Sequence, residues 1–228
     1  MIHNSIPRAY REGKTNFYGY DFIVNRHTLI PRPETEQLVE KAVEYSTRYL
    51  PANLRILDVG TGSGVIAIIL KKLLPASAVE ATEISPEALS IARQNAISNE
   101  VAVTFHEGSL FDSISGKFDL IVANLPYVPA ARWQHLESQV RDFEPKSAIV
   151  AGVDGLKWIK QFCSGVNKHL KERSIVALEI DNIQGRRVQE ILRQTLPQHL
   201  VLGEKDLAGH DRFCFGLPIS PVPPTSLR

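Results

Sequence analysis

The sequence predicts an α/β fold with a mostly parallel, seven-stranded sheet that ends in an antiparallel hairpin. Strand-like apolar segments alternate with amphipathic helix-like segments from residue 55 to residue 196. This alternation favours parallel strands with helices on both faces of the sheet. The last two strand candidates, residues 199–206 and 211–217, are joined by a short polar loop that contains a glycine. With no helix between them, we expect these two strands to pair as a hairpin.

The individual elements are predicted in chain order from hydrophobic periodicity. A short strand near residues 22–24 precedes a turn-rich segment and a helix through Leu38 and Val43, whose start Glu34 or Thr35 could cap. The other parallel strands are predicted at 55–60, 79–84, 101–106, 118–124 and 174–180. The other helices are predicted at 65–74, 86–96, near 155–170 and near 185–196.

Length and composition set the domain organisation. With 228 residues, 43% of them hydrophobic, the chain can bury one substantial core. We expect an arm with short strands over residues 1–30, one domain over 31–217 and a Pro-rich tail over 218–228. The 26 basic and 25 acidic residues nearly cancel, so strong nucleic-acid binding is not expected.

Localisation and metal content follow from what the sequence does not contain. Its two cysteines, Cys163 and Cys214, lack the paired spacing of a metal site or a disulfide framework. No segment reaches the roughly 20 apolar residues that span a bilayer, and the first residues contain no signal-peptide core. We therefore expect a cytoplasmic protein that binds neither a metal nor a membrane.

A glycine-rich segment between the first parallel strand and its helix is the first candidate site. Glycine lets a ligand lie against the backbone, at the place where open α/β sheets bind ligands. Val65 stands where a dinucleotide fingerprint needs glycine, which makes the loop a poor pyrophosphate cradle. S-adenosylmethionine (SAM) has no phosphate, and its amino group and carboxylate suit Asp58 and the helix N-terminus. The expected ligand residues here are Asp58, Gly60, Thr61, Gly62, Ser63 and Gly64.

Two further strand ends complete the predicted cofactor site. Glu83 follows Asp58 by 25 residues and closes the next strand, where a carboxylate can accept both ribose hydroxyls. Ser109 and Leu110 follow the third strand and would face the adenine ring. The alternatives are a tight turn for the glycine loop, a solvated carboxylate for Glu83 and surface-loop packing for Leu110. The glycine loop and the carboxylate, taken together with the succession of strands, favour SAM.

The tetrapeptide Asn124-Leu125-Pro126-Tyr127, after the strand FDLIVA, is the candidate catalytic motif. An amide nitrogen is a poor nucleophile because its lone pair is delocalised. The Asn124 side-chain oxygen and the Leu125 carbonyl could each accept one N–H, and both bonds strengthen as positive charge builds on nitrogen. Pro126 restricts the Leu125 backbone, and Tyr127 offers a flat stacking face. The alternative is a strand-ending turn with a capping Asn.

These motifs resemble the protein-(glutamine-N5) methyltransferases of the HemK/PrmC type, which have a Rossmann-like class I SAM-dependent methyltransferase fold. The resemblance covers most of the chain, and PRPETE is its most discriminating part. The matching segments are FYGYDFIVNRHTLIPRPETEQLVE (17–40), ILDVGTGSGVIAI (56–68), NLPY (124–127), VRDFEPKSAIVAGVDGL (140–156), LEI (178–180) and DLAGHDR (206–212).

The resemblance implies a substrate and further site residues. The substrate would be the glutamine of the Gly-Gly-Gln motif of a peptide chain release factor. Residues 60–64, Glu83 and Asn124 would contact SAM, while residues 124–127 would hold the glutamine. Four residues of the PRPETE segment would line the same cleft, although Thr35 and Glu36 could simply begin a helix. These four are Arg32, Pro33, Thr35 and Glu36.

The sequence departs from the family pattern in three ways. Leu125 replaces a commoner proline, and Glu83 replaces a commoner aspartate. Family members usually carry an N-terminal helical domain, and we expect this chain to lack it because only a short arm precedes Phe17. The first two changes should preserve activity, whereas the third bears on which substrate is recognised.

Three alternative functions remain open from the sequence. An N6-adenine methyltransferase also acts on a planar amine, but it needs a basic face to bind and flip a base. A SAM-binding regulatory protein without turnover would not need the intact tetrapeptide. Glutamine methylation of another protein, such as a ribosomal component, would use the same site.

Overall fold

The computed structural model describes residues 6–220, in which it forms nine strands and seven α-helices. Short 3₁₀ helices cover Ala130–His135, Lys146–Ala148 and Asn167–His169. The strands are β1 (Lys14–Phe17), β2 (Tyr20–Ile23), β3 (Arg55–Val59), β4 (Ala78–Glu83), β5 (Thr104–Glu107), β6 (Phe118–Ala123), β7 (Leu170–Glu179), β8 (His199–Lys205) and β9 (Asp211–Pro218). The helices are α1 (Arg8–Glu12), α2 (Pro33–Tyr49), α3 (Val65–Leu73), α4 (Pro86–Ser98), α5 (Ser138–Phe143), α6 (Lys157–Val166) and α7 (Gly185–Thr195).

The main sheet confirms the predicted fold class. Within residues 6–220 it has seven strands in the order β5-β4-β3-β6-β7-β9-β8. Strands β3 to β7 are parallel, and β9 runs antiparallel to both β7 and β8. The chain moves outward from β3 to β5 and then returns to β6, so a crevice opens between the carboxyl ends of β3 and β6. Val59 and Ala123 are paired across this crevice, which brings the glycine loop beside Asn124.

Helices cover both faces of the sheet because its central strands are apolar on both sides. All six residues of β6 are buried. One face packs on α2 and α3, where Val65–Leu70 form a continuous buried run. The other face packs on α6 and α7 through residues such as Phe162 and Leu192, and Cys163 and Cys214 are buried in this second core. The two cores fix the strand ends that carry the candidate site.

The N-terminal arm forms a β-hairpin, in which β2 overlaps the strand predicted near residues 22–24 and β1 is a further short strand. Strands β1 and β2 are joined by Tyr18 and Gly19, which have φ angles of 54° and 80°. Positive φ at both loop positions gives a twist that matches paired strands. Phe17 and Phe22 pack edge to face, with ring centroids 6.0 Å apart, and are buried in the first core.

One side chain, Asn95 of α4, connects this hairpin to the glycine loop. Its Oδ1 accepts a hydrogen bond from the Ile23 amide at 2.7 Å. Its Nδ2 donates to the carbonyls of Ile23, at 2.9 Å, and Ser63, at 2.8 Å. Asn95 is fully buried, so all three bonds form away from water.

Several predicted boundaries shift in the structure. Helix α2 begins at Pro33 with Arg32 as the N-cap residue, so the expectation that Glu34 or Thr35 caps it was wrong. Proline suits the first helical position because that position needs no amide donor. Helix α6 covers only residues 157–166 of the predicted 155–170, since Gly155 has a φ of 74° before its start and the 3₁₀ helix Asn167–His169 follows its end.

The described part of the chain leaves two expectations open. The predicted domain boundaries at residues 30 and 217 stay predictions, and residues 221–228 of the Pro-rich tail lie outside the described range. Among the helices of residues 6–220, none combines the length and the apolar character needed to cross a membrane.

Candidate active site

A cavity of about 380 Å³ lies at the carboxyl ends of β3, β4 and β6. Its floor is the glycine loop, and its walls include Glu83, residues 108–110 and residues 124–126. Side chains from two segments, near residues 27–31 and 145–148, also line it. Both belong to segments that carry the family resemblance, 17–40 and 140–156, but none of these residues was predicted to line the site, because their contact with the cavity depends on long-range packing.

The conformation of the loop explains its glycines. Gly60, Gly62 and Gly64 have φ angles of 76°, 58° and 87°, which strain any residue with a Cβ atom. A Cβ on Gly60 would also lie 2.9 Å from Cδ2 of Leu125, so the loop and the tetrapeptide are packed closely together. Residues 60–63 line the cavity, whereas Gly64 caps α3 and lies against Ala92.

Asp58 does not line the cavity; its side chain bonds to the glycine loop and to the first turn of α3. Its side chain is fully buried, and its Oδ2 accepts hydrogen bonds from the Thr61 hydroxyl at 2.5 Å and the Ala67 amide at 3.2 Å. The structure therefore does not match the predicted contact between Asp58 and a ligand amino group. The physical reason is the strand pleat, which turns Asp58 toward the N-terminal turns of α3.

Burial raises the pKa of Asp58 to about 7, although its bonds to Thr61 and Ala67 oppose this shift. Its Oδ1 has no hydrogen-bond partner within residues 6–220, so the carboxyl group gains no further bonds that would favour its charged form. The unfolded chain releases the Asp58 proton near pH 4. The Asp58 contribution to stability is therefore fully present below about pH 4 and is lost as pH rises toward 7.

We expect the Asp58→Asn substitution to weaken the pH dependence of stability. In the unmodified protein, the free energy of unfolding should contain a component that falls between about pH 4 and pH 7. Asparagine cannot ionise, so the variant should show a smaller fall. Urea denaturation at pH 5 and pH 8 measures both. An equal fall in the two proteins would contradict the titration of Asp58.

Glu83 occupies the predicted place in the cavity wall. Its Oε2 accepts a hydrogen bond from the Gly62 amide and its Oε1 accepts one from the Ser85 amide, both at 2.9 Å. These bonds fix the carboxylate at the end of β4. Each carboxylate oxygen can accept more than one bond, so lone pairs remain for a ligand diol.

Ser109 and Leu110 also line the cavity, as expected for the adenine side. Leu110 has a φ of 51°, a conformation that is rare for a residue with a side chain. Such strain concentrates at binding sites. Trp158 of α6 lines the same cavity and was not predicted, because a tryptophan on an amphipathic helix also suits an ordinary core position.

The tetrapeptide divides between the cavity and the protein interior. Asn124, Leu125 and Pro126 line the cavity, and the Asn124 Nδ2 donates to the Thr35 hydroxyl at 3.1 Å. Tyr127 does not line it and packs beside Val128 and Trp133. The predicted stacking of Tyr127 on a ligand is therefore not supported by its position, because the chain turns inward after Pro126.

The Tyr127 hydroxyl and backbone both have partners in the interior. The hydroxyl donates to Oε1 of Glu179 at 3.3 Å, and burial together with the Glu179 charge raises the Tyr127 pKa. The Tyr127 carbonyl accepts from Gln184 Nε2 at 3.0 Å and approaches Gly155, where any Cβ would clash. Tyr127 thus anchors the tetrapeptide.

Of the four residues predicted from the PRPETE segment, the structure brings only Thr35 into the cavity wall. Arg32 forms an ion pair with Glu144 at 2.5 Å, and Pro33 begins α2. Glu36 Oε1 accepts a hydrogen bond from the Tyr18 amide at 2.6 Å, so Glu36 links α2 to the turn between β1 and β2. Neighbouring helical residues point about 100° apart, which separates Glu36 from Thr35.

The parallel sheet with its terminal hairpin, and the glycine loop beside a strand-end carboxylate, define a class I methyltransferase. The family model "Methyltransferase small domain" matches residues 36–140. A release factor glutamine methyltransferase of Enterococcus faecalis is 40% identical over 208 residues, which is 91% of this chain and 74% of the relative. One of Koribacter versatilis is 42% identical over 92% of this chain and 74% of the relative. The chain belongs to the release factor glutamine methyltransferase family.

Solved structures agree with this assignment. The protein-(glutamine-N5) methyltransferase (release factor-specific) of Alicyclobacillus acidocaldarius is 27% identical, with a TM-score of 0.51 over 86% of this chain and 98% of that one. A ribosomal protein L11 methylase of Lactobacillus delbrueckii is 26% identical, with a TM-score of 0.59 over 81% of this chain and 78% of that one. The family resemblance stated from the sequence motifs is confirmed, and the chain is an enzyme of this class.

Proposed function

We propose that this enzyme transfers a methyl group from SAM to the side-chain amide nitrogen of a glutamine in the Gly-Gly-Gln motif of a peptide chain release factor. The observation that carries the proposal is the position of Asn124. It stands in the cavity wall beside the glycine loop, with its amide nitrogen already bonded to Thr35 and its oxygen left for a substrate.

The residues of the cavity fit SAM. The Glu83 carboxylate is held by two backbone amides and suits the ribose hydroxyls. The N-terminal residues of α3, Val65 and Ile66, line the cavity, and a helix N-terminus favours a carboxylate. A cavity of about 380 Å³ is within the range of small-molecule sites. When bound, SAM supplies an electrophilic methyl group on its sulfonium.

The tetrapeptide favours attack by a weak nucleophile. The amide nitrogen must withdraw its lone pair from the carbonyl as it becomes tetrahedral. Acceptors on its two N–H groups, the Asn124 oxygen and the Leu125 carbonyl, then bind more strongly because the nitrogen gains positive charge. Pro126 restricts the backbone of Leu125 and thus holds that carbonyl. No residue must act as a strong base, since the methylated amide releases its extra proton readily to water.

Methylation of a purified release factor is the direct test. The enzyme should label the release factor in the presence of methyl-labelled SAM, and mass spectrometry should place the methyl group on the Gly-Gly-Gln glutamine. A release factor with that glutamine replaced by alanine is the matched control and should stay unlabelled. In parallel reactions with ribosomal proteins or with DNA, label there and none on the release factor would favour another substrate. SAM binding without any transfer would indicate a regulatory protein.

A further inference from the structure

Glu179, at the end of β7, is a buried carboxylate that does not line the cavity. It is 2% exposed, and its Oε2 accepts a hydrogen bond from the Thr35 hydroxyl at 2.8 Å. Its Oε1 accepts from Tyr127 at 3.3 Å. Within residues 6–220 its hydrogen-bond partners are these two hydroxyl groups, and the positive Arg212 is close enough to act on its charge. Burying a carboxylate costs free energy that such partners offset only in part, so its presence calls for a reason other than stability.

The geometry fixes the direction of the two hydrogen bonds that link Glu179 to Asn124 through Thr35. A carboxylate only accepts hydrogen bonds, and a threonine hydroxyl has a single hydrogen. The Thr35 hydrogen therefore points to Glu179, and toward Asn124 the Thr35 oxygen can only accept. The Asn124 side chain must then turn its NH₂ group to Thr35. Its oxygen, the only acceptor of that side chain, is left for the cavity.

We propose that Glu179 is a positioning residue that sets the direction of the Asn124 carboxamide through Thr35, so that a substrate NH₂ group meets an acceptor. This inference rests on the proposed amide-methylating function. With the carboxamide reversed, Asn124 would present its own NH₂ group to the substrate NH₂, and two donors would face each other. Substrate affinity and turnover would both decrease. Turnover would decrease more, because the bond from the substrate NH₂ group to the Asn124 oxygen strengthens in the transition state.

Protonation of Glu179 should disturb the same arrangement. A neutral carboxyl group could donate to the Thr35 oxygen, which would free the Thr35 hydrogen to bond the Asn124 oxygen. Burial raises the pKa of Glu179 to about 7, and the negative Glu34 adds to this; the hydroxyls of Thr35 and Tyr127 and the positive Arg212 oppose it. Turnover should therefore fall as pH decreases through about 7.

The test is the Glu179→Gln substitution, since the glutamine amide can donate to Thr35 where the carboxylate cannot. Turnover on the release factor should fall by roughly 10- to 100-fold, somewhat less than the loss of a whole transition-state hydrogen bond. The fall in turnover that the unmodified enzyme shows as pH decreases through about 7 should be absent from the variant. Calorimetric affinity for S-adenosylhomocysteine should stay the same. Asp119→Asn is the matched control, because Asp119 is a buried carboxylate bonded to Lys171 at the other end of β6, and its change should leave turnover unaltered.

Threonine variants separate positioning from packing. Thr35→Ser keeps the hydroxyl and should retain most of the turnover, whereas Thr35→Val keeps the shape and should lose as much as Glu179→Gln. A purely structural role for Glu179 would lower the unfolding temperature but would leave the pH profile unchanged. Glu179→Gln with the unmodified turnover and pH profile would overturn the inference.

One readout does not depend on any substrate. In NMR spectra of the unmodified enzyme, the Asn124 side-chain NH₂ protons should show a cross-relaxation peak to Thr35, and this peak should weaken in Glu179→Gln. If the unmodified enzyme methylates no release factor, the proposed function fails while this spectrum still tests the orientation. If the enzyme is active but the peak is unaltered in the variant, only the positioning role fails.

Discussion

Replacing Asn124 by alanine is expected to lower turnover by roughly 10²–10³-fold, the loss typical of one transition-state hydrogen bond. The substitution removes the cavity acceptor that Thr35 holds in place. Affinity for the cofactor should change far less, because the Glu83 carboxylate and the glycine loop are untouched. Single-turnover methylation of the release factor, combined with calorimetry of S-adenosylhomocysteine, measures the two effects separately.

A surface asparagine provides the control for this experiment. Asn167 donates to the Thr195 carbonyl at the amino end of β7, on the opposite edge of the sheet from the cavity. Asn167→Ala should have normal turnover. If Asn124→Ala were equally active, a transition-state role for Asn124 would be excluded, whatever the substrate proves to be.

Replacing Glu83 by alanine should produce the second large effect, a loss of SAM affinity of about 100-fold or more. Hydrogen bonds to a charged group are worth roughly 1.5–3 kcal/mol each, and two ribose hydroxyls would lose theirs. The Gly62 and Ser85 amides would also lose their acceptor, so the loop itself would be held less firmly. Calorimetric titration with SAM gives the dissociation constant directly.

Two variants make this result specific. Glu80 lies on the same strand and pairs with Arg55, away from the cavity, so Glu80→Ala should bind SAM normally. Glu83→Asp retains the charge with one methylene less, and it should keep much of the affinity lost in the alanine variant. Normal SAM binding by Glu83→Ala would refute the assignment of Glu83 to the ribose.

Sequence alone predicted the fold and the floor of the cavity because both depend on local patterns. Alternating apolar segments predicted a mostly parallel sheet with a terminal hairpin, and the carboxyl ends of parallel strands meet at one edge of the sheet. Glycines and a carboxylate at such ends could therefore be assigned to one site before any coordinates. The same rule placed Asn124 beside them, as the pairing of Val59 with Ala123 confirms.

The remaining features depend on side-chain direction and on contacts distant in sequence. Arg32 and Glu144 are 112 residues apart, and no local pattern links them. Thr35 was expected in the cleft for its place in a motif, yet its direction depends on where α2 starts. Glu179 ends a buried strand, as many unimportant carboxylates do, and only its distance to Thr35 distinguishes it.

The three bonds of Asn95 have a mechanical consequence. A force that shifted the N-terminal hairpin would reach the Ser63 carbonyl through a single rigid amide group, without passing through the sheet. The position of the hairpin is therefore coupled directly to the loop that forms the floor of the cavity. Fusions at this end of the chain should leave the pairing of β1 with β2 and the bonds of Ile23 to Asn95 intact.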